Sequence, residues 1–223
     1  MTEENQHIVT KFDDNLSRLR SEVAQMGASA LDSLERAVNG LIQGNREHCS
    51  DVIADDEIID RHEKRVDELG MGILLSFQPV ASDLRLVVSS LNIGRSLERM
   101  GDHAVNIARR GRKILEIGLC EDAHQLEALF QRVRDMSEKA MYVYKELDQL
   151  EAQKIIEMDE EVDRLYKDFS QRTSAAITAG TDNSESLINL LFVARSLERV
   201  GDLAGNIAED VIFITSAEDI RHT

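Results

Sequence analysis

The chain has 223 residues, with 42 acidic against 26 basic side chains, a formal net charge of −16, no Trp, one Pro and 4% aromatic residues. Its length suits one large domain or two of about 100 residues, enough to bury a substantial core. The acidic balance excludes a nucleic-acid partner, which needs a basic face for phosphates, and adhesion to anionic lipid.

Cys49 and Cys120 are the two cysteines, too few for a disulfide framework and not in a Cys-x-x-Cys pair, which fits a reducing compartment. The start, Met1-Thr2-Glu3-Glu4, lacks the basic and apolar regions of a signal peptide, and no stretch approaches the ~20 apolar residues that span a bilayer. A cytoplasmic location without membrane insertion is expected. Frequent Glu, Lys, Arg, Leu and Ala between few breakers predict an all-α protein.

In chain order, a first helix is predicted over 11–41, where Leu16, Leu19, Val23, Met26, Ala30, Leu34 and Val38 recur by threes and fours. Asn45 caps a second over 46–77, which places Val52, Ile59, Val66 and Ile73 at sevens. Gln78 to Asp83 forms a turn around Pro79, with Ser82 or Asp83 capping a third helix over 83–117. That helix carries a heptad seam of Ile93, Leu97, Met100, Ala104, Ile107, Gly111 and Ile114.

The second half repeats the plan, with helices predicted over 123–146, 149–178 and 185–215 and Asp148 as a cap. Its seam is Val193, Leu197, Val200, Ala204, Ile207, Val211 and Ile214. The fold expected is two tandem antiparallel three-helix bundles of six long helices, divided as 1–118 and 119–223. The residues leave open whether the halves pack into one body, with an elongated molecule favoured.

A repeat governs the chemistry. Arg95-Ser96-Leu97-Glu98-Arg99-Met100-Gly101-Asp102 returns 100 residues later as Arg195-Ser196-Leu197-Glu198-Arg199-Val200-Gly201-Asp202, and Asn106 returns as Asn206. Glu98 and Asp102 stand about 6 Å apart at Cβ on one helical face, with Asn106 on the same stripe, opposite the seam. Glu198, Asp202 and Asn206 do likewise. On the preceding helices Asp56 and Asp60 recur as Asp159 and Asp163. An antiparallel hairpin brings each aspartate pair beside its Glu/Asp pair.

In so acidic a chain any single i,i+4 pair is uninformative, and Asp51/Asp55 or Glu63/Asp67 read as chance. Recurrence at equivalent positions distinguishes these four pairs. Converging carboxylates repel, and three arrangements relieve that. Oxygen ligands, the carboxylates with Asn106 and Asn206 beside them, suit Mg, Mn, Fe, Ca or Zn. Arg95, Arg99, Arg195 and Arg199 are close enough to pair with the acids instead. The third reading is an acidic docking surface.

Gly101 and Gly201, mid-helix, imply close helix contact or room for an ion. His103 is replaced by Leu203 in the repeat, against a ligand role, and Glu121-x-x-His124 occurs once, without the second copy a di-iron bundle needs. The basic run Arg109-Arg110-Gly111-Arg112-Lys113 has no counterpart and either docks an acidic partner or favours a helix C-terminus. There is no Gly-rich phosphate loop and no nucleophile–base set, so a non-enzyme is expected and direct phosphate sensing is not.

The doubled Leu-Glu-Arg-x-Gly-Asp-x-x-x-Asn-Ile, the turn Gln78-Pro79-x-Ala81-x-Asp83-Leu84-Arg85 and the tail Ile220-Arg221-His222 resemble the PhoU family, from Gln6-His7-Ile8 to the end. The resemblance implies tandem three-helix bundles, often dimeric. It implies a cytoplasmic negative regulator of the phosphate-starvation response, acting with the ATPase of the phosphate ABC transporter and a sensor histidine kinase. It further implies divalent or trivalent metal ions (Fe, Zn, Mn or Mg) held by Asp56, Asp60, Glu98 and Asp102 and by Asp159, Asp163, Glu198 and Asp202. The Gln-Pro turn is absent from the second half, so the halves need not dock alike. A metal-storage helical protein and a metal-free structural adaptor are the alternatives.

Overall fold

A computed structural model describes residues 3–118, 121–218 and 220. Its α-helices are α1 (Glu3–Ile42), α2 (Arg46–Ala54), α3 (Glu57–Phe77), α4 (Ala81–Ile117), α5 (Glu127–Glu146), α6 (Gln149–Thr178) and α7 (Ser184–Ser216), with a 3₁₀ helix at Glu121–Leu126 between the halves. No strand occurs among the described residues, and no helix there is long and apolar enough to cross a membrane. Cys120, Arg221 and His222 lie outside the described residues.

The caps are those read from sequence on one side of each half. The Asn45 carboxamide oxygen accepts from the Glu47 and His48 amides at 3.0 and 3.2 Å. The Asp148 carboxylate accepts from Leu150 and Glu151 at 3.0 and 3.1 Å. Each satisfies amides that the first helical turn leaves without partners. At α4 the expectation fails. Val80 takes the cap position with extended backbone and no side-chain bond, so neither Ser82 nor Asp83 caps. Gln78 and Ala81 flank the turn with φ of 48° and 51°, a left-handed geometry uncommon for residues bearing Cβ.

The helix expected over 46–77 is broken after Ala54. The Asp55 carboxylate is drawn to Arg36 of α1 at 3.0 Å, and the amides of Ile58 and Ile59 bond back three residues to Asp55 and Asp56. A run of like charges at Asp55, Asp56 and Glu57 weakens continuous helix here, and the tight turn re-aims α3. In the second half α6 passes straight through Asp159.

Both seams are buried along their whole length. They serve one body. α4 and α7 pack lengthwise and antiparallel at its centre, with α1, α2 and α3 against α4 and with α5 and α6 against α7. Arg110 Nη1 donates to Asn189 Oδ1 at 3.1 Å and Asn92 Nδ2 to Asp210 Oδ1 at 3.5 Å. These two contacts bracket both copies of the repeat, which therefore lie level and run in opposite directions. Arg85, from the Gln-Pro turn, donates twice to the Ile214 carbonyl at 3.2 Å and ties the turn to the end of α7. Of the basic run, Arg110 also lies over the Phe192 ring at 4.3 Å and Lys113 pairs with Glu185 at 2.9 Å, so half of it joins α4 to α7.

Candidate functional site

The motif glycines set how near the acid-bearing helices approach. A Cβ at Gly101 would stand 2.5 Å from Ile59 Cδ1, and one at Gly201 would stand 3.0 Å from Val162 Cγ1. Close helix contact, rather than room for an ion, explains both glycines. The contact brings the start of α3 beside Glu98 and Asp102, and the middle of α6 beside Glu198 and Asp202.

In the first cluster the helices deliver what the spacing predicts. Burial, then the like charges of Asp60 and Asp102, pushes the Asp56 carboxyl above its ordinary value. Burial, then Asp102, Glu63 and Asp60, raises Glu98. Repulsion of this kind across two helices requires that the pairs converge. Glu63 is a fifth member: burial, then Asp67 and Asp60, raises it too. It lies seven residues beyond Asp56, on the same helical face, and that spacing was its signal. It escaped because Tyr166 replaces it in the other half. Among the described residues Asp56, Asp60, Glu63, Glu98 and Asp102 make no ion pair or side-chain hydrogen bond. Asn106 is exposed beyond them and bonds to none of them.

The second cluster is built differently. Burial, then Asp202 and Asp163, raises Asp159, and burial raises Asp202 against the opposing effect of Arg199. Here internal cations answer the repulsion. Arg195 Nη1 meets Glu198 Oε1 at 2.7 Å, Arg199 Nη1 meets Asp202 Oδ2 at 3.5 Å and Lys167 Nζ meets Asp163 Oδ2 at 2.8 Å. Tyr166 supports the arrangement from beneath Arg195, ring to guanidinium 5.6 Å. Asn206, exposed, bonds to none of the acids.

The expected outward stripe is corrected for Glu198, which is 8% exposed. Its helix is enclosed by α4, α5 and α6, so the side opposite the seam is covered too. Its Oε2 is buried without a hydrogen bond, the nearest cation being Arg199 Nε at 3.8 Å.

The residues test the metal reading unequally. Among the described residues no three His, Cys, Asp or Glu side chains stand close enough together to hold a metal ion as they are. In donor chemistry the first cluster suits a hard cation, being all carboxylate with no ion pair among its members, while Arg109, Arg95 and Arg99 act on it only from a distance. The second does not, because two arginines and a lysine occupy the counter-charge role. His103 is half-buried, and burial, reinforced by Arg199 and Arg99 and opposed by Asp102, lowers its pKa. Cys49 is buried, its thiol raised by that burial, and Glu121 and His124 lie on the exposed 3₁₀ turn.

The geometry has close counterparts. The family described as PhoU domain matches residues 23–111 and again 126–211. A phosphate-specific transport system accessory protein PhoU homolog of Xylella fastidiosa is 32% identical over 219 residues, spanning 98% of this chain and 92% of that protein. The phosphate-specific transport system accessory protein PhoU of Escherichia coli is 29% identical over 223 residues, spanning 98% and 90%. The crystal structure of PhoU from Pseudomonas aeruginosa superposes with a TM-score of 0.90 at 31% identity, covering 93% of this chain and all of that one. With the motif in both halves and agreement over nearly its whole length, this chain belongs to the PhoU family.

Proposed function

We propose that this protein is an accessory of a phosphate-specific transport system and a negative regulator of the phosphate-starvation response. It acts in the cytoplasm, without catalysis, by passing the state of the phosphate ABC transporter to a sensor histidine kinase. The observation that supports this most is the match of relatives over 98% of the chain, which includes both motif copies and the α3–α4 turn. The exposed end of the α3–α4 hairpin, with Met71, Leu75, Val80 and Leu84, offers an apolar surface for such a partner, and the second half lacks its equivalent. A homodimer is part of this reading. Deleting the protein should derepress phosphate-scavenging genes in high phosphate; unchanged expression would overturn the regulatory role. Copurification from membranes with the transporter ATPase tests the partner.

A metal ion, Fe, Zn, Mn or Mg, belongs to the same reading at the first cluster. The observation in its favour is that five carboxylates gather there without an ion pair, and the more distant arginines leave Asp56, Glu63 and Glu98 raised. Bound, the ion would supply that charge and draw Asp56, Asp60, Glu98 and Asp102 together, stiffening the α3–α4 contact.

A further inference from the structure

A cleft of about 670 Å³ opens where α4, α6 and α7 meet, midway along the molecule. It is absent from either half alone. The antiparallel packing of α4 on α7 sends Arg99 from one repeat and Arg199 from the other into it. Arg99 is exposed and makes no ion pair or hydrogen bond among the described residues. Arg199 keeps its ion pairs with Asp202 at 3.5 Å and Glu198 at 3.8 Å, and contacts of that length leave guanidinium N–H groups for a further acceptor. Between them stands His103, whose Nδ1 is buried without a hydrogen-bond partner. Both guanidiniums act on this one imidazole, adding to the effect of burial. Asn206 adds an exposed amide to the rim.

We propose that this cleft binds a small tetrahedral oxyanion, a phosphate group, through the guanidinium forks of Arg99 and Arg199 with His103 on its floor. Two planar forks and an imidazole converging from different helices can surround such an anion on several sides, and charge-assisted bonds from arginine are the strongest available here. Three carboxylates, Asp159, Asp202 and Glu209, share the lining and oppose the anion. They disfavour a large polyanion more than one small group seated against the arginines. No loop motif announces such a site, because its donors come from two helices 100 residues apart.

Calorimetric titration of the full-length protein with inorganic phosphate and, separately, with glycerol 3-phosphate tests this. Saturable binding of either below about 1 mM is expected, the tighter one showing whether the group is free phosphate or a monoester. Arg99→Gln, at a side chain without partners, should weaken it about tenfold without altering the fold. Asp159→Asn should tighten it, an outcome a structural role for Asp159 would not produce. His103→Leu, the residue of the other repeat, should weaken it. No saturable binding of either anion, or equal affinity in Arg99→Gln, would overturn the proposal. Membership of the phosphate system rests on whole-chain similarity and would survive either result.

Discussion

Gly101 sits so close to Ile59 that an added methyl would stand 2.5 Å from Ile59 Cδ1, whereas the equivalent methyl at Gly201 would meet Val162 at 3.0 Å. Alanine gains about 1 kcal/mol over glycine in a helix interior, and overpacking a core costs about 1–3 kcal/mol. At Gly101 the clash wins, because the added methyl would stand 2.5 Å from buried Ile59, a distance at which something must shift, against 3.0 Å from Val162. Gly101→Ala should destabilise the protein by about 1 kcal/mol. Gly201→Ala, where Val162 must yield only slightly, should fall nearer zero. Denaturant unfolding of both variants checks the order; equal effects would contradict it.

The two acid clusters should answer neutralisation unequally, because arginines offset part of the rise at Glu198 and Asp202. Removing charge from Glu98 and Asp102 together relieves repulsion that no ion pair compensates, so Glu98→Gln/Asp102→Asn should raise the melting temperature of metal-free protein. Glu198→Gln keeps an acceptor for Arg195 but gives up the charge of their 2.7 Å pair, which offsets the relief of neutralising a carboxyl that burial raises, so its effect should be near zero. Thermal melts in chelator decide the matter.

Stability should also depend on pH through the first cluster. Asp56, Glu63 and Glu98 have folded pKa values above their ordinary 3.8, 4.5 and 4.5. Between the ordinary and the raised value the folded chain binds more protons than the unfolded one, so the stability contributed by these groups falls as pH rises through that window. The repulsive penalty is fully present above the raised values. Asp56→Asn/Glu98→Gln should therefore gain most over wild type at neutral pH and lose that advantage as pH falls below the ordinary value of 3.8, as melting temperatures on either side of the window would reveal.

Metal binding should be one-sided. Mn²⁺ or Zn²⁺ at a hundred times its dissociation constant stabilises a folded state by about 2.7 kcal/mol. That gain should vanish in Glu98→Gln/Asp102→Asn and persist in Glu198→Gln/Asp202→Asn. A melting temperature indifferent to millimolar metal would remove the first cluster as a cation site.

The caps provide a test of local structure. Asn45→Ala and Asp148→Ala should each cost about 1 kcal/mol, and Ser82→Ala nothing measurable, since Val80 rather than Ser82 stands at that helix start.

Periodicity made the helices, the seams and both caps legible because each depends on residues within a turn or two of one another. Where it misled, a distant residue intervened. Arg36, on α1, draws Asp55 out of a helix that the sevens of Val52, Ile59 and Val66 run straight through. Glu63 carried no repeat signature, since its counterpart is Tyr166, yet the packing of α3 on α4 sets it beside Glu98.

The repeat by itself determined that acid pairs from neighbouring helices meet twice, because helical spacing and a short hairpin leave them nowhere else to go. Only the tertiary structure decided that the two meetings differ. Arg195, Arg199 and Lys167 neutralise the second cluster from within, whereas Arg95 and Arg99, identical in sequence context, leave the first unpaired. Rotamers answer to the packing around them, and α4, enclosed by α1, α3 and α7, offers its arginines a different set of neighbours. One of them, Arg99, turns instead toward the cleft that the two halves make together.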